Sequence, residues 1–207
     1  LDDRHCADWE SGHRLMLNRQ VDVAIIENDN RGILNDGLPY ERCTIGVVTN
    51  LDPTDTVPEC AINDAEGIYK VMRSQIDVVL PSGTGVLNAD DERVAELASL
   101  CDGEVLLYSL HANNATIAAH RNEKNGRAVF LLDGRVVLAH GSKERVLGHL
   151  SALSLASGTA PDTASLLAAI ATAWALDIAP DLIAAGIKTF EPQVPAVGGA
   201  RTPVLPL

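Results

Sequence analysis

The sequence predicts an α/β protein with a mainly parallel sheet, flanking helices and one small β-hairpin. Short, near-continuous apolar runs alternate with helical patterns, which is the arrangement of βαβ units. Aromatic residues are scarce, with two Phe, two Trp and three Tyr. The core must then be built from Val, Ile, Leu and Ala, which suits a buried parallel sheet covered by Ala-rich helices.

In chain order, residues 8–20 read as helical around Trp9, Leu15 and Met16, and Val21 to Glu27 reads as a buried strand ending in polar groups. Asn28-Asp29-Asn30-Arg31-Gly32 is a turn-rich stretch, and Thr44 to Asn50 is a second apolar strand. The segment from Leu51 to Cys60 holds Pro53 and Pro58 and is expected to be irregular. Asn63 or Asp64 is placed to cap a helix reaching Ile76, since a short polar side chain there accepts from free amides of the first turn. Thr84 to Leu87 is a short strand, Asn88 to Asp91 a turn, Glu92 to Leu100 a helix and Glu104 to Tyr108 a fourth strand. Residues 115–122 form a short helix. Asp133-Gly134, between Ala128–Leu132 and Arg135–Ala139, signals a hairpin. Thr163 to Leu176 is an Ala/Leu helix, and Pro180 opens another that runs to Thr189. Residues 1–191 are read as one domain and residues 192–207, with four prolines, as a tail or linker.

Composition narrows the function. The chain has 207 residues, 46% hydrophobic and 21% charged, and its 16 basic and 28 acidic residues leave a net charge of −12. That balance, with so few aromatics, excludes a phosphate-tracking or base-stacking surface, so no nucleic-acid partner is expected. No apolar run approaches the roughly 20 residues of a membrane span. No membrane partner and no signal peptide are read. Cys6, Cys43, Cys60 and Cys101 form no CxxC pair, so free thiols in a reducing cytoplasm are expected.

In a parallel sheet, ligands bind beyond the carboxyl ends of the strands. That rule selects Glu27 to Asn30, Asn50 to Asp55 and Asn88 to Asp91. Glu27, ending an apolar run, has the chemistry of a Mg²⁺ ligand, because Mg²⁺ takes one or two carboxylates plus phosphate oxygens; it can equally cap the following turn. Asp90 and Asp91 directly precede a helical run, where acidic residues satisfy free amides and the helix dipole. Gly83-Thr84-Gly85 lacks the third glycine of a dinucleotide loop. Gly186-Ile187-Lys188-Thr189 lies within a helix and lacks the glycine before lysine of a phosphate loop. The six histidines are scattered, and surface or hairpin positions are expected for them.

Three blocks in order and spacing go further. They are Val21 to Glu27 continuing through Arg31-Gly32-Ile33-Leu34; Gly37-Leu38-Pro39-Tyr40-Glu41-Arg42-Cys43 with Gly46-Val47-Val48-Thr49-Asn50; and Val86-Leu87-Asn88-Ala89-Asp90-Asp91. Together they resemble the Mur-ligase-like region of the cyanophycin synthetases, over residues 8–191. The resemblance implies the central ATPase fold of Mur ligases, without its Gly-Lys-Thr phosphate loop or its C-terminal lid domain among these residues. It also implies an ATP- and Mg²⁺-dependent ligase, with aspartate, arginine or their polymer as partners and a homo-oligomeric assembly. Such enzymes activate a carboxylate as an acyl phosphate, which an incoming amine attacks.

Residue by residue, Glu27 matches the family's metal-binding glutamate, and Asn88 and Asp91 fall where the nucleotide is reached. The family's Asp-His after the second strand stands here as Thr54-Asp55. The lysine of the following helix is replaced by Met72, with Lys70 nearby, and the later His-Asn and Asn positions fall on Pro161, Asp162 and Ser165. No catalytic residue is assigned. The alternative implied by these departures is a catalytically degenerate module serving as scaffold or oligomer contact.

Overall fold

The computed structural model describes residues 9–153 and 162–189. The expected tail at 192–207, Cys6 and Pro161 lie outside the described residues.

The chain begins with α1 (Trp9–Met16) and α2 (Asn30–Asp36), then β1 (Cys43–Val48), α3 (Ala65–Asp77) and β2 (Val79–Asn88). A short α4 (Glu92–Glu96) leads to β3 (Glu104–Ser109), α5 (Ala115–Lys124) and β4 (Arg127–Leu132). β5 (Arg135–His140), β6 (Lys143–His149), α6 (Leu150–Leu153), α7 (Thr163–Ala175) and α8 (Pro180–Thr189) follow. The six strands form one sheet in sequence order. β1 to β4 run parallel, and β4–β5 and β5–β6 pair antiparallel. The α/β class, the parallel majority and the hairpin are as the sequence predicts.

Period-two alternation splits each central strand between two cores. Val86, Leu106, Tyr108, Val129 and Leu138 pack with Leu167 and Ile170 of α7. Their neighbours Leu87, Leu107, Phe130 and Val137 face the other way, onto Ile76, Val94, Leu97 and Ile117 of the opposite helices.

Several expectations are corrected. Val21 to Glu27 is not a buried strand: it forms no ladder, and Val23 and Ile25 are 54% and 86% exposed. An apolar run records a preference for extended backbone but cannot supply a partner strand. The turn-rich Asn28 to Gly32 instead opens α2, because the Asp29 carboxylate caps it by accepting from the Gly32 amide at 2.5 Å. The third strand starts five residues earlier than Thr84, at Val79, and the Glu92–Leu100 helix ends as a 3₁₀ turn over Leu97–Ser99. β6 was not expected, since Lys143 to Val146 is exposed and carries no apolar pattern. Its signal was the two-residue link Gly141-Ser142, where Gly141 takes φ +55 between the paired His140 and Lys143. Gly83-Thr84-Gly85 lies inside β2. A side chain at Gly83 would strike the Thr44 carbonyl, and one at Gly85 would meet the Cys101 sulfur at 3.0 Å, so these glycines serve sheet packing. His120 departs from the surface expectation, its Nε2 lying 3.0 Å from the Val105 carbonyl.

At the amino ends of the parallel strands, Arg127 is only 9% exposed. Its guanidinium makes two bonds to Glu104 (2.7 and 2.8 Å) and one to the Trp174 carbonyl (3.2 Å), and it lies 5.3 Å from the Trp174 ring. That cluster ties α7 to the sheet.

Candidate functional site

The carboxyl ends of β1, β2 and β3 lie side by side, so the loops that follow them share one rim. Asn88 is central: its Nδ2 donates to the Thr49 carbonyl at 2.9 Å, and its Oδ1 accepts from the Asp90 amide at 3.0 Å. Asp91 accepts from the Leu51 amide (3.1 Å) with Oδ2 and from the Arg93 and Val94 amides (3.0 and 3.2 Å) with Oδ1. It caps α4 and holds the loop after β1 in the same act. Asp90 accepts from Ser109 Oγ (2.5 Å), the Leu110 amide (2.6 Å) and Asn114 Nδ2 (3.0 Å), joining the ends of β2 and β3 to the start of α5. The sequence singled out Asn88 and Asp91, and the structure brings them together on one rim. Ser109 and Asn114 were missed, because nothing in a lone Ser or Asn marks it as a partner for a carboxylate some 20 residues away.

Glu27 is exposed and has no hydrogen bond or ion pair among the described residues. The chain is anchored on its far side by Asn28, whose Nδ2 reaches Tyr40 Oη (3.0 Å) and Gln75 Oε1 (3.2 Å). Asn30 follows, 2% exposed, donating to Asp55 Oδ2 at 2.7 Å. Its Oδ1 is buried with no partner among the described residues. The Asp55 contact fixes the amide orientation, so that oxygen is free for a donor or a cation. Among the described residues no three His, Cys, Asp or Glu side chains gather as a metal cluster. These groups fit a Mg²⁺ held mainly by water and phosphate oxygens with Glu27 as its protein carboxylate, and do not fit a metal caged by protein. Three amides occupy the Asp91 carboxylate and leave it one lone-pair site, on Oδ2. Asn88 retains one N–H and one lone pair.

The other positions carry other work. The Thr54 hydroxyl donates to Asp52 at 2.6 Å, which holds the Asp52 carboxyl below its usual range. Lys70 is exposed beside Glu66 at 3.9 Å, and the Met72 sulfur accepts from Gln75 Nε2 at 3.7 Å. Asp162 caps α7 through the Ala164 amide (2.7 Å) and accepts from Ser165 Oγ at 3.3 Å.

Beneath this rim Tyr108 is 1% exposed. Burial first, and then the charges of Asp162, Asp90 and Asp91, push its hydroxyl well above the ordinary phenol value. The unfolded chain releases that proton near pH 10 while the folded one keeps it, so stability falls as pH rises past 10. Alkaline titration should show Tyr108 phenolate absorbance only as the native circular dichroism is lost. Titration with native signal retained would contradict the burial, and Tyr108→Phe should flatten the alkaline decline.

Together, the fold and the rim define an α/β domain with a candidate ligand site at the carboxyl ends of its parallel strands. Most of this domain is homologous to a stretch of the cyanophycin synthetases. The chain is 32% identical over 183 residues to the cyanophycin synthetase of Synechocystis sp. (strain ATCC 27184 / PCC 6803 / Kazusa), an alignment covering 87% of this chain and 21% of that protein. It is 28% identical over 195 residues to that of Nostoc sp. (strain PCC 7120 / SAG 25.82 / UTEX 2576), covering 92% of this chain and 21% of the relative. The chain thus spans about a fifth of the length of the curated relatives it matches. No protein-family model matches it. Among solved structures, MurF from Acinetobacter baumannii is similar over 72% of this chain and 29% of its own, at 13% identity and a TM-score of 0.46. Among the described residues, no helix is long and apolar enough to cross a membrane.

Proposed function

We propose that the chain is the Mur-ligase-like portion of a cyanophycin synthetase-like, ATP-dependent ligase that joins aspartate and arginine, and that within it this portion acts as a scaffold. The observation that carries the ligase reading is the 32% identity to a cyanophycin synthetase over 87% of the chain. A ligase of this kind transfers the γ-phosphoryl group of ATP to a carboxylate. The amine that attacks the acyl phosphate forms the amide and displaces phosphate. Bound Mg²⁺ neutralises phosphate charge in that chemistry. The contribution of this chain's own residues is to hold the rim: Asp91 and Asp90 fix three loops, and Asn88 bridges two of them.

The scaffold half is supported by what the rim has already committed. Asp91 is engaged by three amides in holding the rim, Thr54-Asp55 stands in place of Asp-His, and the position of the helix lysine holds Met72. The reading extends to a cytoplasmic, homo-oligomeric protein acting on aspartate, arginine or their polymer.

The test has two arms. The intact native protein, given aspartate, arginine, Mg²⁺ and ATP, should release phosphate and make polymer; failure there sinks the ligase. The 207-residue chain should show no micromolar Mg²⁺–ATP binding by calorimetry; binding that Glu27→Ala abolishes sinks the scaffold.

A further inference from the structure

We propose that a small polar pocket at the amino ends of the parallel strands binds a cationic amino acid, with the ligand's side-chain cation on the Asp177 and Glu104 carboxylates and its α-carboxylate on Arg127. The pocket is a cavity of about 420 Å³, at the opposite end of the sheet from the Asn88 rim. Ser82 and Thr84 of β2, Glu104 at the start of β3 and Arg127 at the start of β4 line one side, and Trp174 and Asp177 at the end of α7 line the other. The site stands apart from the ligase reading; only the choice of arginine as the ligand to test rests on it.

The groups in this wall are incompletely paired with one another. Asp177 follows α7 in the left-handed conformation, with φ +58, which aspartate tolerates better than most residues. Its carboxylate has no hydrogen bond or ion pair among the described residues. Glu104 takes one bond from Arg127 on each oxygen, at 2.7 and 2.8 Å, and keeps a further lone pair on each. Arg127 is buried, and it commits Nε, both N–H groups of Nη2 and one of Nη1 to Glu104, Thr84 and the Trp174 carbonyl. The second N–H of Nη1 has no acceptor among the described residues. A buried donor without an acceptor costs free energy, which a ligand carboxylate there would recover.

The charges select the ligand. With His140 counted as neutral, the lining holds two carboxylates and one guanidinium, and so carries one net negative charge. A free cationic amino acid carries the complementary set, two cations and one carboxylate. α7 adds to the preference, because the carbonyl end of a helix favours cations and its last turn holds no basic residue. A bare metal ion fits poorly. Glu104, His140 and Asp177 all line the pocket, but among the described residues no three His, Cys, Asp or Glu side chains gather as a metal cluster. A simple oxyanion would face two carboxylates. The occupant must therefore present separated charges of both signs, and the cavity lies in the roughly 300–1,000 Å³ range of small-ligand sites.

The chain has two tryptophans, so Trp9→Phe at an exposed position leaves Trp174, in the pocket wall, as the fluorescent reporter. L-arginine should change the Trp174 emission saturably, with half-saturation on the order of 1 mM, and calorimetry on the same chain should give the same constant. L-citrulline has the shape of arginine with an uncharged side-chain end, and agmatine is arginine without its carboxylate; each should bind about tenfold more weakly. Asp177→Asn puts in another residue that tolerates the left-handed conformation, and should also cost about tenfold in affinity. Asp181→Asn removes an exposed carboxylate from α8 and should cost nothing. No saturable response by either method overturns the proposal, as do citrulline or agmatine binding as tightly as arginine, and equal effects of Asp177→Asn and Asp181→Asn. Arginine binding at Trp174 in a protein whose intact form makes no polymer would defeat only the ligase reading, whereas polymer synthesis without that binding would defeat only the pocket.

Discussion

Glu104→Ala is expected to lower the free energy of unfolding by about 3 kcal/mol, and Arg127→Met by roughly half of that, although each removes one end of the same ion pair. The asymmetry follows from exposure. The Arg127 side chain is 10% exposed and that of Glu104 is 47% exposed. Without Glu104 the guanidinium stays buried with the Trp174 carbonyl as its principal remaining acceptor. Without Arg127 the carboxylate turns to water, and methionine fills much of the vacated volume. Urea denaturation should therefore show a larger midpoint shift for Glu104→Ala with little change in slope. The Arg145–Asp181 pair serves as the control. Its contact is also 2.7 Å, but its side chains are 53% and 89% exposed, so Asp181→Ala should change stability by only a few tenths of a kcal/mol. Equal losses from Glu104→Ala and Asp181→Ala would show that burial of Arg127 contributes nothing.

The same contrast explains what the sequence could and could not reveal. β1, β3, α3, α5 and the hairpin were legible because each carries its information locally: a continuous apolar run, an Asp64 cap, an Asp-Gly turn. Of the two caps the sequence offered, Asn63 and Asp64, it is Asp64 that accepts, from the Gly67 amide at 2.8 Å. What failed depended on partners. Val21 to Glu27 has the composition of a strand but no ladder, and β6 has a ladder but not the composition. The buried Arg127 was invisible, since its partners Glu104, Thr84 and Trp174 lie far from it in sequence.

The candidate site was legible in the same partial way. The rule that ligands gather at the carboxyl ends of parallel strands found Asn88 and Asp91, and the cap reading of the Asp90-Asp91 pair anticipated what Asp91 does at the head of α4. The structure adds why that rim is rigid: Asp90 reaches across to Ser109, Leu110 and Asn114. Glu27 was named for its place at the end of an expected strand. It keeps a free carboxylate where that strand is not formed.

Gly46→Ala is expected to cost about 3 kcal/mol, the upper end of what one added carbon costs in a packed interior. Gly46 lies in the middle of β1, paired with Gly85 of β2. A Cβ there would stand 2.5 Å from the Gln75 carbonyl oxygen and 2.7 Å from Val79 Cγ2. The first is main chain in the last turn of α3 and cannot rotate away, so the helix end must lift from the sheet. Gln75 and Ile76 are both buried in that turn, and lifting them would also loosen the Asn28–Gln75 contact that anchors the segment beside Glu27. Gly186→Ala is the opposite case. It lies within α8 with nothing inside 4 Å of the added carbon, and alanine there should stabilise the chain by about 0.5–1 kcal/mol, because the helix no longer orders a glycine. Thermal or urea unfolding of the two variants should move in opposite directions. A neutral Gly46→Ala would mean that α3 is not seated on β1, and would remove the support that holds the Asn28 segment in place.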